Sequence, residues 1–280
     1  MNLSVEGPKI YFKLPWEMPK FKDLFTMQNL ITDTTISMFV VTLLLTIIAF
    51  IVTRRISKRP GRIQVLVEKG VTMIYNLVED TMGKHNLKFA PYIGTLFLAS
   101  IFSTLIGMTY VVRSATADLS VTLAWALVTT GLVWYNNIKN FGFGAWLKGF
   151  TEPIVIMTPM NIVSEIASPL SLAFRHFGNV AGGSVLTSLI YSALGVLSTA
   201  ILRSAPAAIR TIPFFQIGIP AVLSIYFDLF SGFVQAFVFT LLTMVYVGGA
   251  SPAPEELPEK RLAILAKREA RKQKRRKTSN

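Results

Sequence analysis

The sequence predicts an all-α polytopic membrane protein with five membrane-embedded helices, the last two long and steeply tilted, plus one interfacial amphipathic helix. Three observations carry that prediction. Of 280 residues, 52% are hydrophobic and only 15% charged, with a mean hydropathy of +0.51, whereas a soluble domain carries about 25% charged residues. The apolar runs are long and continuous, which suits helices and not the roughly ten-residue alternating segments of a membrane β-barrel. The charges gather between those runs, not within them.

Residues 1–33 are mixed, with Pro8, Pro15, Pro19 and several aromatics. They lack the order of a secretory signal, a basic region followed by an apolar core and a small-residue cleavage site. The first span is expected at 34–53 and is stopped by Arg54, Arg55, Lys58 and Arg59. In 62–82 the apolar positions Ile63, Leu66, Val67, Gly70, Val71, Ile74, Leu77 and Val78 recur at helical spacing, with Glu68, Lys69, Asn76, Glu79 and Asp80 largely off that stripe. Such a helix lies in the membrane interface, or packs on a partner protein. Two uncharged spans follow at 89–112 and 119–138, antiparallel neighbours by virtue of the short link 113–118. Residues 141–159 hold glycines, prolines, Lys148 and Glu152 and read as a loop with interfacial pieces.

The last two helices are expected at 160–202 and 211–250. The stretch 166–202 is interrupted by one charge, Arg175, and 211–250 by one, Asp228. At 1.5 Å per residue a helix over the first stretch is about 55 Å long, too long to stand upright in a hydrocarbon core about 30 Å thick. The interior glycines are scattered and not clustered with prolines, so a tilted pair joined by a turn at 203–210 is simpler than a set of short helices. Residues 251–280 form a basic tail.

Lysine and arginine asymmetry sets the orientation. With the C-terminus in the cytoplasm, twenty Lys/Arg fall in inside segments and seven in outside ones. The N-terminal segment is then extracytoplasmic. The tail from Glu255 onward carries ten Lys/Arg and four Glu, almost half of the net charge of +13. It reads as a solvated cytoplasmic end that feels anionic lipid headgroups. No aromatics interleave its charges, so it does not read as a nucleic-acid site.

With no cysteine and only two distant histidines, His85 and His176, the chain offers no disulfide, no cysteine-based redox or metal site and no histidine cluster. No cofactor is expected. An intramembrane enzyme is disfavoured too, since His-Glu-x-x-His, paired intramembrane aspartates and a Ser/His dyad are all missing. A stand-alone secondary ion transporter or channel is the competing class. It predicts an internal repeat, and the halves show no convincing similarity.

Arg175 is the most informative residue. A charge at bilayer depth costs at least about 2.5–3.5 kcal/mol, and helices that keep one usually do so for function. Gly178, Asn179 and Gly182 follow at i+3, i+4 and i+7, on the face of Arg175. Small residues there let a neighbouring helix approach. Arginine stays protonated in proteins, so the charge is fixed and favours the ionised form of any carboxylate nearby. Asp228, Ser231, Gly232 and Gln235 form a second polar stripe by the same spacing. Helix–helix hydrogen bonding is the plain alternative for either stripe. Glu165 is either a boundary charge or the lip of a polar passage. His176 points off the Arg175 face and reads as a packing or interfacial residue.

These motifs resemble a family. Ser168-Pro-Leu-Ser-Leu-Ala-Phe-Arg175-His-Phe-Gly-Asn179 is similar to the signature of subunit a of F-type ATP synthases, the membrane stator beside the rotating c-ring. Gly232-Phe-Val-Gln235-Ala-Phe-Val-Phe-Thr-Leu-Leu-Thr-Met-Val-Tyr246 resembles its last helix. Phe89-Ala-Pro-Tyr-Ile-Gly-Thr-Leu-Phe-Leu and Thr116-Ala-Asp-Leu-Ser-Val-Thr-Leu-Ala resemble its middle helices. The resemblance implies a non-catalytic subunit that forms two proton half-channels against the c-ring, so that ion flow drives rotation and ATP synthesis. It implies the c-ring, peripheral-stalk b subunits and membrane lipid as partners, protons before sodium as the ion, and a bacterial inner membrane as the location. Arg175 matches the essential stator arginine, and Asn179 and Gln235 match its polar companions. Two positions depart from the common pattern. Ser184 stands where many members carry an acid or histidine, and Asp228 where many carry histidine or glutamate. Asp228 is then expected to be the proton relay of the outer half-channel. His176 replaces the more usual leucine.

Overall fold

A computed structural model describes residues 10–13, 29–54, 56–57, 60–107, 114–201, 225–258 and 262–263. The architecture is that of an all-α polytopic membrane protein. Among the described residues the α-helices are α1 (Asp33–Arg54), α2 (Arg62–Met82), α3 (Ala90–Gly107), α4 (Leu119–Phe141), α5 (Phe143–Gly149), α6 (Thr158–Ile201) and α7 (Ser231–Gly249), with a π-helical turn at Ile225–Phe230 ahead of α7. The N-terminal segment adds one small antiparallel hairpin, β1 (Ile10–Lys13) with β2 (Asn29–Thr32). The expected turn at 203–210 and the first part of the expected last helix lie outside the described residues, as does most of the basic tail.

Four described segments are long and apolar enough to cross a membrane: Asp33–Arg54, Lys84–Gly107, Val155–Ile201 and Ser231–Gly249. The sequence reading expects five. The difference is α4, which has the length at 23 residues but dilutes its apolar run with Thr122, Thr129, Thr130, Asn136 and Asn137. Within the apolar helices the hydroxyl groups bond back to their own turns: Ser37 to Asp33 O, Thr42 to Met38 O, Thr46 to Thr42 O and Thr53 to Ala49 O. An unsatisfied hydroxyl in hydrocarbon is costly, and this local bond removes the cost. α1 also has an acid in its first turn, Asp33, and a base in its last, Arg54, which complements the helix dipole.

α6 is continuous over 44 residues, about 66 Å at 1.5 Å per residue. It cannot stand upright within a hydrocarbon core of about 30 Å. Pro169 lies inside it. Lacking an N–H, this proline leaves the Glu165 carbonyl without its usual i+4 donor.

The chain divides into two compact units. One comprises residues 1–65, 95–123 and 172–239. In it Asp118 closes the start of α4, accepting from Ser120 N at 2.9 Å, and also accepts from Thr34 of α1 at 2.8 Å. One carboxylate thus caps one helix and ties it to another. A row of hydroxyls runs along α3 and the following turn: Thr104 Oγ1 donates to Ser100 O at 3.0 Å and meets Thr116 Oγ1 at 3.1 Å, which meets Ser114 Oγ at 2.9 Å.

The other unit comprises residues 66–94, 124–171 and 240–280. Its core is Val78, Met82, Ala90, Ile93, Met244 and Val247. The amphipathic stripe of α2 is buried towards its C-terminal end: Val78 and Met82 are buried, whereas Leu66 and Val71 are exposed. Beside this core, the fully buried Asn86 donates to Ser251 O at 2.8 Å and to Met82 O at 2.9 Å, and accepts from Ser251 Oγ at 2.8 Å. Asn140 donates to Ala250 O at 3.0 Å. The end of α7 is therefore held by a satisfied polar clamp.

Candidate functional site

Arg175 sits on the uncovered side of α6. Burial along this stretch follows the helical repeat: Leu172, Ala173 and His176 are buried, while Ser171, Phe174, Arg175, Gly178 and Asn179 are exposed. Among the described residues no acid pairs with Arg175. Its side chain is exposed, and no described acid of its unit cancels the charge. Beside it, Asn179 Nδ2 donates to Gln235 Oε1 of α7 at 2.6 Å. Gln235 is 3% exposed, and its own Nε2 finds no acceptor among the described residues. The structure therefore brings Arg175, Asn179 and Gln235 into one neighbourhood.

The close approach of α7 to α3 rests on Gly232. A Cβ there would stand 2.5 Å from the Thr104 Cγ2 methyl, a distance no side chain tolerates. Phe97 of α3 meets Phe233 of α7 edge to face, with ring centroids 6.0 Å apart. His176 lies under Arg175, fully buried, with Nε2 3.2 Å from Ser100 Oγ and its ring 5.3 Å from that of Phe239. Sequence reasoning placed His176 off the arginine face but could not find Ser100, a neutral side chain far back in the chain.

Ser184 is exposed, and its hydroxyl donates to Ala181 O of its own helix at 2.7 Å. Asp228 falls in the π-helical turn Ile225–Phe230, and its side chain lies outside the described residues. A π turn bonds i to i+5 and is frequent at functional sites. Of the expected stripe Asp228, Ser231, Gly232 and Gln235, the last three lie in α7 and Asp228 in the π-helical turn ahead of it.

Glu165 belongs to the other unit. Its carboxylate accepts from the Trp134 indole N–H of α4. It lines an open groove of about 670 Å³ with Asn137, Trp146, Lys148, Asn161 and Ser164. Lys148 pairs with Glu152 at 3.7 Å, an exposed ion pair. The side of Trp146 is packed by Trp134 and Phe150, at centroid distances of 6.2 and 5.1 Å. No sequence signal pointed to Trp134 as the partner of Glu165.

The family model described as ATP synthase A chain matches residues 35–248. A subunit from Propionigenium modestum named "ATP synthase subunit a, sodium ion specific" is 32% identical over 277 residues, covering 91% of this chain and 89% of its own. ATP synthase subunit a of Bacillus subtilis (strain 168) is 31% identical over 233 residues, covering 80% of this chain and 91% of its own. ATP synthase subunit a 1 of Crocosphaera subtropica is 34% identical over 211 residues, 75% of this chain and 82% of its own.

Proposed function

The chain belongs to the ATP synthase A chain family, whose members are the membrane stator of the F-type ATP synthase, and on that premise we propose that Arg175 separates two ion half-channels formed against a ring of carboxylate-bearing subunits. The observation that carries this is the state of Arg175: a fixed charge on the uncovered side of a 44-residue helix, with no described acid of its own chain to neutralise it. A guanidinium so placed favours the ionised form of a carboxylate that reaches it. Each ring carboxylate gives up its proton towards one half-channel as it nears Arg175, passes as the anion and is reprotonated from the other. A proton crossing 100 mV releases about 2.3 kcal/mol, which the ring takes up as rotation.

Asn179 and Gln235 line this meeting point, Asp228 relays protons in the outer half-channel, and Glu165 stands at the cytoplasmic lip of the inner one. Ser184, whose hydroxyl donates to Ala181 O and keeps its oxygen as an acceptor, lies further along the same ion path. The subunit performs no covalent chemistry. Its partners are the c-ring, the peripheral-stalk b subunits and lipid. It sits in a bacterial inner membrane with the C-terminus cytoplasmic.

Arg175→Ala tests the reading: coupled ATP synthesis in membrane vesicles is expected to vanish while the complex still assembles. Arg175→Lys should fail as well, because an ammonium deprotonates in apolar surroundings and lacks the planar fork. Normal synthesis in either variant removes Arg175 from the mechanism. The transported ion is the proton. One observation supports a second reading, the similarity to a subunit named sodium ion specific. ATP hydrolysis by the holoenzyme that rises steeply on adding sodium at alkaline pH would select that ion instead.

A further inference from the structure

We propose that His176 is a positioning residue for Arg175: its buried imidazole, held between Ser100 of α3 and the Phe239 ring of α7, fixes the turn of α6 about its axis and so the direction in which the guanidinium leaves the helix. This rests on the reading of Arg175 given above.

Successive residues of a helix point about 100° apart, so whatever fixes residue 176 inward fixes residue 175 outward. His176, Ser100 and Phe239 are each fully buried. The His176 Nε2 to Ser100 Oγ distance is 3.2 Å, and the His176 and Phe239 rings meet at 61°. Ser100 is itself held, since its carbonyl accepts from Thr104 Oγ1, which is tied to Thr116. The imidazole thus joins α6 to the hydroxyl row of α3 on one side and packs on α7 on the other. An apolar side chain of similar size fills the same space but has no directional atom, and van der Waals packing alone tolerates small rotations that a hydrogen bond does not. Displacing a reacting group by a fraction of its contact distance is enough to cut a rate strongly.

The test uses the assembled ATP synthase in inverted membrane vesicles, with Ser100→Ala, His176→Leu, both together, His176→Gln and, as control, Arg175→Ala. Immunoblots give the amount of complex; coupled synthesis and passive ion leak after removal of the soluble head give function. Ser100→Ala and His176→Leu should each lower coupled synthesis about tenfold at normal complex levels, the scale of one buried hydrogen bond, and raise the leak. Adding Ser100→Ala to His176→Leu should cost nothing further, since the bond from Ser100 to the imidazole is already gone. His176→Gln, which returns a nitrogen near the Nε2 position, should recover most of the activity. Normal synthesis in Ser100→Ala, additive losses in the double variant, or losses that track the amount of complex would each overturn the proposal. Should His176→Leu fail to assemble, Ser100→Ala and His176→Gln decide it by the same criteria. An inactive Arg175→Ala beside normal Ser100→Ala and His176→Leu defeats this inference alone, whereas an active Arg175→Ala defeats the reading beneath it.

Discussion

Gln235 keeps a buried amide whose Nε2 lacks an acceptor among the described residues, while its Oε1 accepts a hydrogen bond from Asn179 Nδ2. An unpaired buried donor costs about 1–3 kcal/mol, so stability alone gives no reason to keep one. Gln235→Leu removes that donor, and Asn179, being exposed, can find other partners. The variant should therefore assemble at normal levels and lose ion transport, as read by fluorescence quenching during ATP-driven pumping against immunoblotted complex. Equal loss of complex and transport would make Gln235 a packing residue. Asp228→Asn keeps size and polarity and deletes titration. If Asp228 is the outer relay, synthesis should slow and lose its dependence on outside pH; an unchanged pH profile reassigns the relay. At this scale the sequence exposed the charges well, because a lone Arg175 or Asp228 in an apolar run stands out by its cost. It could not show Ser100 under His176 or Trp134 on Glu165, since a neutral side chain in a hydrophobic run is common and its partner is far away in the chain.

Helix α7 approaches α3 where Gly232 leaves room for the Thr104 methyl. Any Cβ at 232 forces the helices apart, and overpacking of this kind costs typically about 1–3 kcal/mol. Gly232→Ala should lower the melting temperature of the complex and its coupled activity. Thr104→Ser removes the methyl at fault and keeps the hydroxyl that bonds Ser100 O and Thr116, so the pair Gly232→Ala with Thr104→Ser should regain what the single change loses. Failure of that rescue would place the importance of Gly232 elsewhere. Helix length and type were legible at this scale because apolar run length is a direct constraint. The continuous α6 is one outcome, and Pro169 did not end it because a proline inside a long membrane helix loses one bond among many. The π turn at Ile225–Phe230 was not legible: it inserts one residue into a repeat that the sequence pattern assumes to be regular. Nor was the double use of Asp118, as cap of α4 and acceptor from Thr34, since the α1 residue lies far back in the chain.

The four membrane-length segments are covered by their own chain to very different extents. About two-fifths of the apolar window is buried in Lys84–Gly107 and Ser231–Gly249, at 39% and 44%, against 11% in Asp33–Arg54 and 6% in Val155–Ile201. Lipid can cover the apolar remainder of both exposed segments, since lipid tails are as apolar as leucine. It covers Asp33–Arg54 well, whose exposed side is Phe39, Leu43, Ile47 and Phe50. Val155–Ile201 is different, because its uncovered side includes Arg175 and Asn179, and a guanidinium in hydrocarbon costs at least about 2.5–3.5 kcal/mol. Under the proposed function a ring of carboxylate-bearing helices covers this side of α6 and supplies the acidic groups. Mild detergent extraction should yield the chain together with ring and stalk subunits. Dissociating the ring should lower the melting temperature of the remainder, because a partner that binds only the folded form stabilises it. Replacing Arg175 by alanine should shrink that difference, since the ring then covers an apolar side that detergent covers equally well. A chain that elutes alone, with the same melting temperature whether or not ring is present, would show that α6 needs no such partner.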